Sequence, residues 1–239
     1  MSHGCGRRAA CPIPVTVFGP DCKARRAAPK RRGGAAARLA PPRLWLIRTE
    51  GPMNATLDLL RRRRSVPPAL LAGPGPTPEE LATLLTIASR VPDHGKLAPW
   101  RFLVIEGEGA ARIGAVIEAA YAADHPEADA ARRALERDRL AQAPLVVGVV
   151  SRAGPHVKIP DWEQVLSAGA AAMNLVVAAN AMGFATAWLT EWIAYDRRVL
   201  DALGLAPQER MAGFVHIGRA AQAPADRPRP DLAAIVTRV

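Results

Sequence analysis

Of the 239 residues, 32 are Lys or Arg and 22 are Asp or Glu, a formal charge of +10 that would suit a polyanion-binding protein if it were spread over the whole chain. It is concentrated instead: residues 1–52 hold eleven of the basic residues against Asp21 and Glu50, which leaves residues 53–239 at +1 with no electrostatic footprint for nucleic acid. Cys5, Cys11 and Cys22 also precede residue 53, so the remaining 187 residues have no disulfide framework, no thiolate zinc site and no cysteine nucleophile, a pattern expected of a cytoplasmic protein.

Residues 1–52 are rich in Ala, Arg, Pro and Gly without apolar periodicity, too little apolar surface to offset the entropy of ordering. They carry no apolar core of a signal peptide and no transmembrane run, and their cysteine spacing matches no usual metal-ligand pattern. A start codon assigned too far upstream is the favoured reading, because Met53 opens a well-formed helix; a disordered basic extension and an Arg-rich organellar transit peptide are the alternatives. Residues 53–239 are long enough for one domain with a sizeable core.

In chain order, a short helix is expected from Thr56 to about Arg63, with Leu57, Leu59 and Leu60 packing, broken by Ser65-Val66-Pro67-Pro68. After a loop to Pro76, Thr77-Pro78-Glu79-Glu80 signals a helix start. Thr77 is the N-cap, Pro78 takes the first helical position and Glu80 completes a capping box. Leu81, Leu84, Leu85 and Ala88 share a face of that helix, which stops near Val91-Pro92. A strand is expected over Arg101–Glu106, then helices over residues 110–123 and about 128–140, then a buried β-branched strand over Pro144–Ser151. Trp162 to Met182 is the longest helix and is apolar nearly all round, with Gly183 as its stop. Such a helix must be covered on every face, by a partner subunit or by complete burial within one subunit. A strand over Phe184–Leu189, a helix over Asp196–Leu203, a strand over Met211–Ile217 and an edge strand over Ala233–Thr237 complete the order. Helices outnumber strands and two precede the first strand, which argues against a regular βαβ winding.

Gly107-Glu108-Gly109 follows a strand and opens a helix, but Arg112 stands where a dinucleotide-binding loop needs its third glycine. A strand-to-helix turn is the better account. Arg61-Arg62-Arg63-Arg64-Ser65 ends a helix, where arginines can offset the terminal dipole or, clustered beside a hydroxyl, form an anion site. Arg90-Val91-Pro92-Asp93-His94-Gly95-Lys96-Leu97-Ala98-Pro99-Trp100 packs charged and titratable groups into a proline-bounded loop, a candidate ligand site. Trp188-Leu189-Thr190-Glu191-Trp192 leaves a strand with two tryptophans that serve either as core or as the wall of a planar ligand.

Five stretches carry a resemblance: Leu59–Ser65, Ala88–His94, Pro99–Gly109, Lys158–Gln164 and Gly213–Gly218. In this order and spacing the chain resembles the nitroreductase family, most closely its small YdjA-like branch. The resemblance implies an α+β fold, a central mainly antiparallel sheet wrapped by helices, in an intertwined homodimer that holds FMN at its interface. It places Arg63, Arg64 and Ser65 on the FMN phosphate and ribityl chain, and Arg90 and His94 on the flavin, from the same or the second subunit. It lines the isoalloxazine with Trp188, Leu189 and Thr190, and sets a nicotinamide-cofactor segment on Ala178, Ala179, Asn180, Ala181, Met182 and Gly183. The implied activity passes hydride from NAD(P)H through FMN to a small electron-poor acceptor, a nitro compound, a quinone or similar, by a ping-pong scheme. The cofactor carries the chemistry, so neither a catalytic side chain nor a metal is expected. Lys96 and Arg90 are candidates for stabilising negative charge on the flavin. Asp93-His94-Gly95-Lys96 replaces the small polar residues typical of the family, which argues against efficient nitroaromatic reduction and leaves the acceptor open. A non-catalytic flavin carrier and a nucleic-acid binder acting through residues 1–52 are the competing function classes; neither a membrane nor a nucleic acid is an expected partner.

Overall fold

The computed structural model describes residues 54–222 and 224–239; the readings of residues 1–52 and of Met53 fall outside the described residues. Helix α1, Ala55–Arg62, starts at Asn54, whose side chain accepts from the backbone N–H groups of Thr56 and Leu57. None of its residues is buried, and Leu57 and Leu60 are exposed, contrary to the packing expected of them. Among the described residues no element covers that side of the helix, and its flank carrying Leu59 turns inward. The chain then lies along the sheet edge, where Val66 N–H donates to the Thr186 carbonyl at 2.9 Å.

A two-residue strand β1, Leu71–Ala72, follows within the stretch expected to be loop. Helix α2, Pro78–Ala88, has the capping box its sequence signals, with Glu80 N–H donating to Thr77 Oγ1 at 3.2 Å and Thr77 N–H to Glu80 Oε2 at 2.8 Å. Strand β2, Trp100–Ile105, runs into helix α3, Gly107–Asp124, through the positive-φ turn at Gly107. Helix α4, Ala130–Arg137, is shorter than the charge pattern implied and ends in a tight turn, Asp138–Leu140. Strand β3, Leu145–Ser151, helix α5, Asp161–Ala181, strand β4, Ala185–Leu189, helix α6, Arg197–Ala202, and strand β5, Arg210–Ala220, complete the sheet and its layers. The expected edge strand at Ala233–Thr237 is instead a one-turn helix α7, Leu232–Ile235, started by the Asp231 side chain. Four apolar residues carry no period that separates the two outcomes, and the cap decides.

All five strands pair antiparallel. β3 lies between β2 and β5, and the far edge of β5 pairs with β4 and then β1. Alternation along β3 and β5 sends side chains to two cores. Leu145, Val147, Val149, Val215 and Ile217 meet Leu84 and Ala88 of α2 and Leu175, Val176 and Ala179 of α5. Val146, Val150 and Phe214 meet Ile113 and Ile117 of α3 and Val199 and Leu200 of α6. A bulge in β5 opposite Val149/Val150 leaves Gly213 with Trp188 against it: a Cβ there would stand 2.0 Å from Trp188 Nε1.

Helix α5 buries one side on the sheet, while Trp162 (65% exposed), Leu166 (53%) and Met173 (36%) stand open on the other. The described residues therefore do not bury the helix completely. At helical spacing these residues form a stripe that continues through the half-exposed Gly169, Ala170 and Val177.

Candidate functional site

The C-terminal ends of α1 and α5 meet the start of β4 and the segment after β5 around a cavity of about 650 Å³, with Leu59, Arg63, Arg64, Asn180, Gly183 and Phe184 in its wall. Both helices direct carbonyl ends here, so the helix dipoles oppose an anion and any positive potential must come from side chains. It comes from guanidinium groups. The cationic form of Arg63 is disfavoured by burial and then by Arg229 and Arg64 nearby, which lowers its pKa from the usual arginine value. The Arg64 side chain is only 17% exposed; its Nε lies 3.3 Å from Asp226 Oδ1 and donates to the Ala225 carbonyl at 3.4 Å. Arg219 stands with its guanidinium carbon 4.5 Å from the centre of the Phe184 ring and donates to the Gly183 carbonyl at 3.4 Å. Asp226 pairs with Arg64 and, at 3.5 Å, with Arg229, while Arg62 and Asp58, paired with each other, also line the cavity, so arginines outnumber carboxylates here. The excess positive charge is what a bound anion would neutralise.

Ser65 does not line this cavity; its backbone bridges to Thr186, and the two are next in sequence to the lining residues Arg64 and Ala185. Within the segment Ala178–Gly183, Ala178 and Ala179 are buried in the core, while Asn180, Ala181 and Gly183 line the cavity and Met182 is half-buried. Asn180 is held by its Nδ2, which donates to Thr186 Oγ1 at 2.9 Å.

The other expected site residues lie elsewhere on the subunit. The Arg90–Trp100 loop is tied along α5 by side chains of that helix: Asn174 Nδ2 donates to the carbonyls of Ile87 and Arg90, Ser167 Oγ donates to the Pro92 carbonyl at 2.7 Å, and His94 Nδ1 meets Glu163 Oε2 at 2.7 Å. Asp93 accepts from the N–H groups of Leu97 and Ala98, which closes a turn containing Lys96 and Ala98 at positive φ. Gly95, at φ 72°, is required because a Cβ would stand 2.3 Å from Ile159 Cδ1. Glu163 and Asn180 are separated by roughly 25 Å along α5, so one subunit does not bring His94 to Arg63. Trp188 is exposed on the α5 side of β4, with Nε1 donating to the Ala212 carbonyl at 3.2 Å. Leu189 and Thr190 line a second, smaller cavity of about 60 Å³ with Arg139, Glu191 and His216.

The profile of the nitroreductase family matches residues 60–219. The chain belongs to the nitroreductase family. Two bacterial relatives of this nitroreductase-family chain agree with the match. "Putative NAD(P)H nitroreductase YdjA" of Escherichia coli strain K12 is 40% identical over 165 residues, 68% of this chain and 86% of the relative. "Putative NAD(P)H nitroreductase" of Haemophilus influenzae is 37% identical over the same shares. Among solved structures, a nitroreductase-like family protein from Bacillus cereus superposes with a TM-score of 0.69 at 20% identity, covering 79% of this chain and 98% of that one. A protein from Desulfovibrio desulfuricans described as a putative nitroreductase in complex with FMN superposes with a TM-score of 0.59 at 24% identity, covering 79% and 98%. The α+β architecture with its antiparallel sheet is the nitroreductase fold. Arg219 and Arg229, which stand beside the arginine-walled cavity, are residues that sequence reasoning did not single out. Arg219 had a signal, a lone charge directly after the Gly213–Gly218 motif; Arg229 had none.

His216 is buried on β5 with its Nδ1 lacking a partner among the described residues, and burial pushes its pKa down to about 4. The unfolded chain, with an ordinary histidine near 6.5, takes up a proton first, so folding stability is complete above that value and falls as pH drops toward 4. We expect the unfolding free energy to decline by on the order of 3 kcal/mol across that window, and His216→Gln to flatten the decline. Chemical denaturation at a series of pH values measures both; an equal slope in the two proteins would remove His216 as the cause.

Proposed function

We propose that this nitroreductase-family chain is an FMN-dependent oxidoreductase that oxidises NAD(P)H and reduces a small electron-poor acceptor, a nitro compound, a quinone or similar, in a ping-pong scheme, as a homodimer. The observation that carries the reading is a cavity walled by Arg62, Arg63 and Arg64 against Asp58, the single lining carboxylate among the described residues, with Arg219 beside its Gly183–Phe184 wall and Arg229 near Arg63. A phosphomonoester supplies the missing negative charge, and about 650 Å³ lies within the range of cofactor-sized pockets. FMN therefore fits the residues present, and when bound it supplies two-electron transfer between a reduced nicotinamide and an acceptor.

The chain's own part is to bind, orient and exclude water. Arg63 and Arg64 clasp the phosphate through forked donors, Arg219 adds a third cation, and Ser65 offers a hydroxyl to the ribityl chain. Trp188, Leu189 and Thr190 are proposed to flank the ring system, and Arg90, His94 and Lys96 to reach it from the second subunit. Two copies packed antiparallel through the exposed stripe of α5 would bring the His94 end of one helix beside the Arg63 end of the other. The midpoint between Glu163 and Asn180 falls near Ala171, beside Gly169 and Ala170, where small residues permit close approach. Asn180, Ala181 and Gly183 share the cavity wall with the arginines, so the proposed NAD(P)H segment abuts the phosphate end of the site.

The test is purification of the protein with FMN supplied, followed by anaerobic titration with NADH and NADPH. Bound yellow flavin bleached by one of them is the expected result. Bound flavin that neither nicotinamide bleaches would replace the enzyme with a flavin carrier, and protein that stays colourless would remove the flavin reading altogether.

A further inference from the structure

On the side of the sheet away from α5, the end of α3, the turn before α6 and the start of α6 enclose a second large cavity, about 520 Å³, lined by Tyr121, Asp124, His125, Trp192, Tyr195 and Asp196. Nothing in the flavin reading uses it, and packing through α5 leaves it open.

Four of its six lining side chains are aromatic, and three of them form a linked platform: Tyr121 lies 4.4 Å from the ring of His125 and 6.0 Å from that of Trp192, both tilted. The platform is held from behind. Trp192 Nε1 donates to Glu136 Oε2 at 2.8 Å, and Glu136, fully buried, is paired by Arg132 and Arg139. Arg132 Nε also donates to the Tyr121 hydroxyl at 3.0 Å and lies 5.4 Å from the Tyr121 ring centre. One aromatic of the platform thus already serves as a cation seat for a residue of the chain. Tyr195, by contrast, is 72% exposed. A large aromatic left in water beside a half-buried Trp192 is surface that a ligand could cover.

The rim sets the charge of that ligand. Asp124 and Asp196 both hold Arg198, with Oδ1 of Asp124 at 3.0 Å from its Nη1 and Oδ1 of Asp196 at 3.0 Å from its Nε. Glu127 meets His125 at 3.5 Å. Arg132 and Arg139 are taken up by Glu136, and Arg139 also by Glu191, so among the described residues Arg198 is the one arginine paired with Asp124 and Asp196, with His125 beside Asp124, and the two carboxylates outnumber it. Hydrogen bonds from Arg198 hold both carboxyls below their usual range, so they are ionised.

We propose that this cavity binds a small organic monocation of the quaternary-ammonium or N-alkylated kind, seated on Trp192 and Tyr195 with Asp124 and Asp196 at its edge. A strongly hydrated point charge such as Na⁺ gains little from ring faces, whereas an alkylated cation combines apolar cover with charge and suits both features of the site. The site is separate from the flavin cavity, so this inference stands or falls independently of the function proposed above.

The probe is choline, compared with 3,3-dimethylbutan-1-ol, which has the same shape without the charge. Isothermal titration of the full chain is expected to show saturable choline binding, with the neutral analogue at least tenfold weaker. Tyr195→Ala, at an exposed position that leaves the fold intact, should weaken choline at least tenfold, and Asp124→Asn should weaken choline but leave the neutral analogue unchanged. Absence of saturation with choline, equal binding of the two probes, or unchanged choline binding by Tyr195→Ala would each overturn the proposal. A tryptophan-fluorescence titration of Trp192→Phe reads the same site: loss of the choline-dependent signal supports it, and an unaltered signal places the binding elsewhere.

Discussion

Arg63→Ala combined with Arg64→Ala is expected to yield a folded protein that binds FMN about a thousandfold more weakly. Each charge-assisted contact to a phosphate contributes roughly 1.5–3 kcal/mol, so either single variant should cost about 10- to 100-fold. The carbonyl ends of α1 and α5 face the same cavity, which leaves the site no dipole to fall back on. Arg64→Lys should recover only part of the loss, because an ammonium cannot reproduce a forked contact. Folding and binding separate cleanly here. The turn after α1 is held by Arg63 N–H donating to the Leu59 carbonyl at 2.8 Å, a bond that the side chain does not make. Removing Arg63 also removes a half-buried cation that its arginine neighbours oppose. The flavin-free variant should therefore melt no lower than the parent. Equilibrium dialysis with FMN and a melting curve of the apoprotein check the two halves; a colourless variant that also fails to fold would leave the arginines with a structural role only.

What could be read from the chain follows from how local each signal is. Thr77 and Glu80 fix the start of α2 through two bonds within four residues, and the β-branched run before Ser151 permits nothing but a buried strand. The same locality drew attention to the arginine run at the end of α1, three members of which line the large cavity. Elements set by tertiary pairing were not legible. Two residues, Leu71 and Ala72, have no period, and become a strand only because Ala220 and Arg219 present a free edge. Ala233–Thr237 had the composition of an edge strand, yet Asp231 caps a helical turn. Leu57 and Leu60 had the spacing of a packed face, but none of the described residues buries them. Asp226 reaches Arg64 and Arg229 stands near Arg63 from a segment about 160 residues downstream, a separation that no motif spans. The partition of the site was also invisible. The resemblance placed His94 and Arg63 on one cofactor, and only α5, with Glu163 holding one end and Asn180 the other, reveals that a single subunit keeps them apart.

Arg at positions 166 and 173 is expected to convert the proposed dimer to monomers and to strip it of flavin. Leu166 and Met173 are exposed on the isolated subunit, so the charges cost the fold itself little. Across a twofold axis near Ala171, however, four guanidinium groups would meet in a desolvated seam, where like charges cost several kcal/mol. Sedimentation should show a monomer with unchanged helical content, and FMN affinity should fall at least a hundredfold, since Arg90, His94 and Lys96 are then lost from every site. Monomers that keep full affinity would mean that one subunit completes the site; dimers that persist would place the interface elsewhere. The stricter form of the experiment uses Glu at the same two positions in a second chain, so that mixing Leu166→Arg, Met173→Arg with Leu166→Glu, Met173→Glu restores a dimer of one kind only. With Arg63→Ala and Arg64→Ala on the first chain and Arg90→Ala and His94→Ala on the second, one site combines both lesions and the other has none. A site shared between subunits then recovers one FMN of parental affinity per dimer from two chains that each bind poorly alone. A site built within one subunit recovers nothing, because every copy keeps its own lesion.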